Sequence, residues 1–117
     1  MKKILLIEDD LDTIEMVEII LQDAGYEVVK TDRLATLSEL AEMNPALIIV
    51  DYLLPHRLGN ELCTEVKNFP GTKHIPVILY SASSLLRKVA EECHADAYIP
   101  KPFDLDDFVK EVNRLAI

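Results

Sequence analysis

At 117 residues, half of them apolar, the chain has enough material for one compact core and too little for two ordinary domains. Its formal net charge of −9, with 28% charged and 6% aromatic residues, repels a duplex phosphate backbone and argues against direct nucleic-acid binding. Met1-Lys2-Lys3 runs into a short apolar stretch closed by three acids, a pattern of neither a signal peptide nor a membrane span, so a cytoplasmic protein with no membrane partner is expected.

The first apolar run, residues 4–7, lacks the alternation of a half-exposed strand and reads as a strand covered on both faces. After Glu8-Asp9-Asp10, the residues Ile14, Val17, Leu21 and Ala24 recur at helical spacing, with Asp12 and Glu15 as the start signal. Gly25 ends that helix and residues 26–31 follow as a second strand. Leu34, Leu37, Leu40 and Ala41 mark the second helix, and residues 47–50 a third buried strand. Leu62, Val66 and Phe69 mark the third helix, and residues 77–80 the fourth strand. Leu86, Val89, Ala90 and Cys93 form the fourth stripe, residues 97–100 the fifth strand, and Leu105, Phe108, Val109, Val112 and Leu115 the last helix, opened by Asp104 with Asp107.

Three strands covered on both faces imply a parallel sheet, and the tally of five βα units predicts an α/β fold. There is no repeat, low-complexity tract or linker, so one domain over 1–117 with no output domain is expected. Cys63 and Cys93 lie on helical stretches without CxxC or Cys/His ligand spacing, which predicts two buried thiols.

In such sheets ligands bind outside the carboxyl ends of the strands. There the sequence places Glu8-Asp9-Asp10 after the first strand, Asp51 after the third, Ser81 after the fourth and Lys101 after the fifth. Asp10 is expected to cap the next helix. Asp51 directly follows Leu47-Ile48-Ile49-Val50, where an ionised carboxylate needs a partner or a metal to offset its lost hydration. Were Glu8, Asp9 and Asp51 to converge to about 5 Å, each like-charge pair would cost about 3 kcal/mol at an effective dielectric near 20. A divalent cation relieves that repulsion, and oxygen ligands with room for water and phosphate suit Mg²⁺. In phosphoryl transfer Asp51 is then the attacking nucleophile, with Lys101 as a second positive charge across the site. Taken singly, these residues also read as turn acids, a strand-end hydroxyl and a solvated lysine; His56 and Arg57, in the loop after Pro55, receive no role.

Together, Ile7-Glu8-Asp9-Asp10, Asp51 with Pro55 and Gly59 at D-x-x-x-P-x-x-x-G spacing, Ser81-Ala82, and Tyr98-Ile99-Pro100-Lys101-Pro102-Phe103 resemble the receiver domain of two-component response regulators, of the single-domain, chemotaxis-regulator-like kind. The match covers essentially the whole chain. The resemblance implies a (βα)₅ doubly wound, flavodoxin-like sheet of strand order 2-1-3-4-5. It implies that Glu8, Asp9, Asp51 and the Leu53 main-chain carbonyl bind Mg²⁺, that Asp51 is the phosphoacceptor, and that Lys101 pairs with the phosphoryl group. A cis Lys101-Pro102 bond and a switch formed by Ser81 and Tyr98 also follow from it. So do an upstream sensor histidine kinase or histidine phosphotransfer protein and an unidentified downstream protein. The expected output surface is the fourth helix, fifth strand and fifth helix, on a monomer or a weak phosphorylation-dependent dimer.

The stretch from Ser81 to Lys101 is slightly shorter than is usual in the family, trimming the fourth helix or its leading loop. Leu53 and Ser83 stand where the family tunes dephosphorylation, and an apolar Leu53 predicts slow loss of phosphate. The competing readings are a pseudo-receiver that binds proteins without phosphorylation, a flavin carrier, and an aspartyl-phosphate phosphohydrolase. Only three glycines, no phosphate loop after the first strand, and no second acid in Asp51-Tyr52-Leu53 argue against the last two. The chain is thus expected to be a signalling phosphoacceptor that catalyses only its own phosphorylation and dephosphorylation.

Overall fold

The computed structural model describes residues 1–31, 36–55 and 57–117. Five strands, β1 (Lys3–Ile7), β2 (Glu27–Thr31), β3 (Leu47–Asp51), β4 (Val77–Ser81) and β5 (Ala97–Pro100), alternate with five helices. The helices are α1 (Leu11–Asp23), α2 (Leu37–Met43), α3 (Gly59–Asn68), α4 (Leu86–Glu92) and α5 (Leu105–Leu115). All strand pairs are parallel, in the order β2-β1-β3-β4-β5, so the predicted (βα)₅ sheet with order 2-1-3-4-5 is the observed fold.

The unbroken apolar strands are explained by two cores, one on each face of the sheet. Leu5, Ile7, Ile48, Val50, Val77 and Leu79 pack with Leu40 of α2, Leu62, Cys63 and Val66 of α3, and Leu86 and Ala90 of α4. Ile4, Leu6, Leu47, Ile49, Ile78 and Tyr80 pack with Val17 and Leu21 of α1 and Phe108 and Val112 of α5. Because successive side chains alternate between faces, the inner strands β1, β3 and β4 feed both cores, whereas the edge strands β2 and β5 leave Glu27, Lys30, Tyr98 and Pro100 exposed. Cys63 and Cys93 are buried free thiols, as expected.

Several boundaries differ from the sequence reading. Asp10 caps α1, as expected, its carboxylate accepting from the Thr13 amide at 3.0 Å, whereas Asp12, read with Glu15 as the start signal, lies in the first turn. Asp10 also accepts from the Thr13 hydroxyl, so the two polar groups close the helix end two residues earlier than the Asp12–Glu15 spacing implied. Phe69 is the C-cap of α3 and Leu105 opens α5, both partly exposed, so neither belongs to the buried stripe. Asp104 caps α5 by accepting from the amides of Asp106 and Asp107, as predicted. Gly25 takes a positive φ of 94° just past α1, a conformation that suits glycine. The Leu34 position of the second stripe and His56 lie outside the described residues. Among the described residues, no helix is long and apolar enough to cross a membrane.

Candidate active site

The two-residue period of the strands assembles the site. Ile4 and Leu6 face the core under α1 and α5, so Glu8 continues on that face; Leu47 and Ile49 do the same for Asp51, Ile78 for Tyr80, and Ile99 for Lys101. Strand pairing sets Asp51 opposite Tyr80. Four chemically distinct side chains therefore emerge on one face at the carboxyl edge of the sheet.

Carboxylate oxygens of Glu8, Asp9 and Asp51 lie within 4.8 Å of one another, the convergence expected from the sequence. Glu8 is fully buried, Asp51 is 7% exposed, and Asp9 faces solvent. Both Glu8 oxygens are occupied: Oε1 accepts from the amides of Asp9 and Asp10, each at 3.0 Å, and Oε2 accepts from the Tyr80 hydroxyl and from Lys101 Nζ at 3.1 Å. Lys101 Nζ also donates to Asp51 Oδ2 at 3.3 Å and sits 4.3 Å from the centre of the Tyr80 ring. The other Asp51 oxygen accepts from the Leu53 amide at 2.9 Å. Lys101 thus bridges the two buried acids instead of standing across from them.

The electrostatics follow from these contacts. Desolvation by burial pushes the Asp51 carboxyl above its ordinary range, and the Glu8 charge adds to this against the Leu53 amide and Lys101. Burial presses Glu8 in the same direction, but the Tyr80 hydroxyl, the Asp10 amide and Lys101 together hold it below the ordinary carboxylate value. Burial and the Glu8 charge raise the Tyr80 phenol, which stays a protonated donor.

Three hard carboxylates within 4.8 Å, one of them solvent-facing, form a donor set that fits a partly hydrated Mg²⁺ better than a full protein cage. Gly59 explains the glycine of the Asp51-Pro55-Gly59 spacing. Its amide donates to the Tyr52 carbonyl at 2.8 Å, and a Cβ at this position would fall 2.2 Å from the Asp51 carbonyl oxygen. The β3–α3 loop, also closed by a Leu53–Leu58 antiparallel bridge, returns so tightly on Asp51 that only a bare backbone fits.

Ser81 and Tyr98 leave their strands on the other face of the sheet. By parity they belong with Val77 and Leu79 on the α3 and α4 side of the sheet. Ser81, 2% exposed, accepts from the Ser83 amide at 3.1 Å. Tyr98, 40% exposed, lines a groove of about 560 Å³ between α4, β5 and α5. Lys101-Pro102 is cis, as expected. Arg57 pairs with Glu61 and Glu65 along α3, not with the acids of the site. Tyr80 is the site residue the sequence reading passed over, being counted only as the end of a buried strand. A tyrosine in a fully covered strand requires a partner for its hydroxyl, and period two from Ile78 points that hydroxyl at Glu8.

Residues 4–113 match the family described as the response regulator receiver domain. Among curated relatives, the chain is 30% identical over 118 residues to the DNA-binding dual master transcriptional regulator RpaA of Synechocystis, covering 98% of this chain and 49% of that protein. It is 41% identical over 86 residues to histidine kinase P4 of Formosa agariphila, covering 71% of this chain and 6% of the kinase. The chain therefore spans about half or less of the curated relatives it matches. A putative response regulator of Chloroflexus aurantiacus superposes with a TM-score of 0.86 at 30% identity, covering 98% of this chain and 97% of that one. Chemotaxis protein CheY4 of Vibrio cholerae gives 0.85 at 26% identity, with 98% of both chains covered. The strand order, the buried acid pair bridged by lysine and the family match agree, and the chain belongs to the response regulator receiver domain family of two-component systems.

Proposed function

We propose that the chain accepts a phosphoryl group on Asp51 in a two-component phosphorelay and passes the signal through a protein-binding surface. The observation that carries this reading is the convergence of Glu8, Asp9 and Asp51 within 4.8 Å, with Lys101 bridging the two buried members. Asp9, Asp51 and the Leu53 main-chain carbonyl would hold Mg²⁺ at this edge of the sheet, and Glu8 would join them once Lys101 releases its Oε2. The cation, when bound, neutralises charge on the transferring phosphoryl oxygens.

The residues divide the work. Asp51, fixed by the Leu53 amide through Oδ1, attacks phosphorus with a carboxylate oxygen. The donor's phosphorus–nitrogen bond breaks as the Asp51 oxygen–phosphorus bond forms, and the imidazole of a sensor histidine kinase or histidine phosphotransfer protein leaves. Lys101 exchanges its pairing with Asp51 for a pairing with the incoming phosphoryl group. Ser81 gives up the Ser83 amide to donate to that group, and Tyr98 then turns from its exposed position toward the space Ser81 vacates. Movement of Ser81 and Tyr98 reshapes the α4, β5 and α5 face, where the downstream protein binds.

The test is phosphorylation by a small acyl phosphate with and without chelator. The reading requires a Mg²⁺-dependent phosphoryl adduct that neutral hydroxylamine removes, as it removes acyl phosphates. An adduct that forms equally in chelator, or that resists hydroxylamine, contradicts it.

A further inference from the structure

The hydroxyl of Tyr80 is buried, and among the described residues it is the one donor to the buried acids supplied by neither backbone nor a charged group. Glu8 offers about four acceptor positions, and four donors fill them: the Asp9 and Asp10 amides on Oε1, Tyr80 and Lys101 on Oε2. Two of these donors are backbone and fixed. Lys101 is partly exposed on a flexible stem and already shares its ammonium with Asp51. The Tyr80 ring packs in a T-shaped contact with Phe103, centroids 6.4 Å apart, and Phe103 stacks on Phe108 at 4.9 Å. The Tyr80 ring carries Lys101 Nζ over its face, 4.3 Å from its centre.

We propose that Tyr80 is a positioning residue for the metal site: its hydroxyl fixes the Glu8 carboxylate, and its ring seats the Lys101 ammonium between the two acids. Without the hydroxyl, Glu8 Oε2 keeps only Lys101, and the tightened ion pair competes with a cation for the Glu8 charge. Hydrogen-bond donors behind a metal-facing carboxylate commonly set affinity in this way. The inference rests on the proposed metal-assisted phosphoacceptor function and adds to it the residue that tunes it.

The test compares Tyr80→Phe with Tyr26→Phe by calorimetric titration with MgCl₂, after circular dichroism confirms the fold. Tyr26 is the matched control, because its buried hydroxyl also donates to a side chain, Asn113 at 2.5 Å, but from β2's approach outside the site. Tyr80→Phe is expected to weaken Mg²⁺ binding about tenfold and Tyr26→Phe to leave it unchanged. Equal affinities in wild type and Tyr80→Phe, or equal losses in both variants, overturn the proposal. A second measurement needs no variant: in the wild-type protein with isotope-labelled tyrosines, MgCl₂ should shift the Tyr80 ring resonances saturably and leave Tyr26 in place. Unmoved Tyr80 signals alongside a bound cation overturn the proposal, whereas a wild type that binds no Mg²⁺ overturns the underlying functional reading as well.

Discussion

Lys101 Nζ lies 3.1 Å from Glu8 Oε2 and 3.3 Å from Asp51 Oδ2, so one ammonium is shared by two buried carboxylates and offsets one of their two charges. Lys101→Met keeps the aliphatic stem and removes the charge, leaving like charges facing each other where hydration is poor. The expected loss is about 1 to 3 kcal/mol of unfolding free energy in the absence of metal, reduced from the full cost of breaking a buried pair because the lysine is partly exposed. Millimolar Mg²⁺ should restore much of it. Urea unfolding with and without Mg²⁺ measures both, and a variant as stable as wild type in chelator contradicts the bridging role.

Asp51 predicts a pH dependence of opposite sign to Glu8. Its folded-state carboxyl is raised by burial and by Glu8, so the folded chain binds the Asp51 proton more tightly than the unfolded chain. The contribution to stability is present below the ordinary carboxylate value and is lost as pH rises through the raised folded value. Glu8, lowered in the folded state, contributes stability above its ordinary value that is lost as pH falls. Asp51→Asn should therefore raise the melting temperature near neutral pH, with the gain shrinking in acid. A gain that grows as pH falls would reverse the assignment.

Gly59→Ala places a methyl group 2.2 Å from the Asp51 carbonyl oxygen, a backbone atom that cannot step aside without moving the acceptor residue. Overpacking of this kind costs about 3 kcal/mol. The urea midpoint should fall, and phosphorylation should fall with it because Asp51 moves. An alanine variant of wild-type stability would show that the loop relaxes freely.

How far the sequence reaches is clearest at this loop. The need for a glycine was visible only as a spacing from Asp51 and Pro55, because the close approach of two backbone segments is a tertiary fact. The strands and the acid convergence were legible, since two-sided burial leaves an unbroken apolar run and its charged terminus stands out. Tyr80 was legible in principle by counting two from Ile78, and was missed because an aromatic residue in a buried strand also reads as core. The start of α1 was misplaced because Asp10, Asp12 and Glu15 offer overlapping cap signals, and the Thr13 hydroxyl decides between them. The placement of Ser81 on the face opposite Tyr80 follows from parity as well.

Cys63 and Cys93 are 0% and 2% exposed, and the Cys63 thiol donates to the Cys93 carbonyl at 3.3 Å. The neighbouring Cys63 thiol draws the Cys93 thiol below its ordinary value, but burial denies reagents access. A thiol reagent should therefore react slowly with the native chain and titrate both cysteines in guanidinium. Rapid native reaction at Cys93 would place that thiol nearer the surface.

Leu53 projects into solvent, 52% exposed, while its amide holds Asp51. A leucine there offers no donor or acceptor to orient an attacking water, so the phosphorylated chain should persist for minutes or longer. Leu53→Asn keeps the backbone contact and supplies a polar group, and should shorten the lifetime several-fold. A wild-type half-life of seconds in Mg²⁺ would contradict this account of the loop.

In the proposed function Asp51 itself receives the phosphoryl group. Intact mass spectrometry after incubation with Mg²⁺ and a small acyl phosphate tests it most directly, with Asp51→Asn in parallel. A single phosphoryl mass gain in wild type and none in the variant is the predicted result. No gain in wild type, or an equal gain in Asp51→Asn, would contradict it.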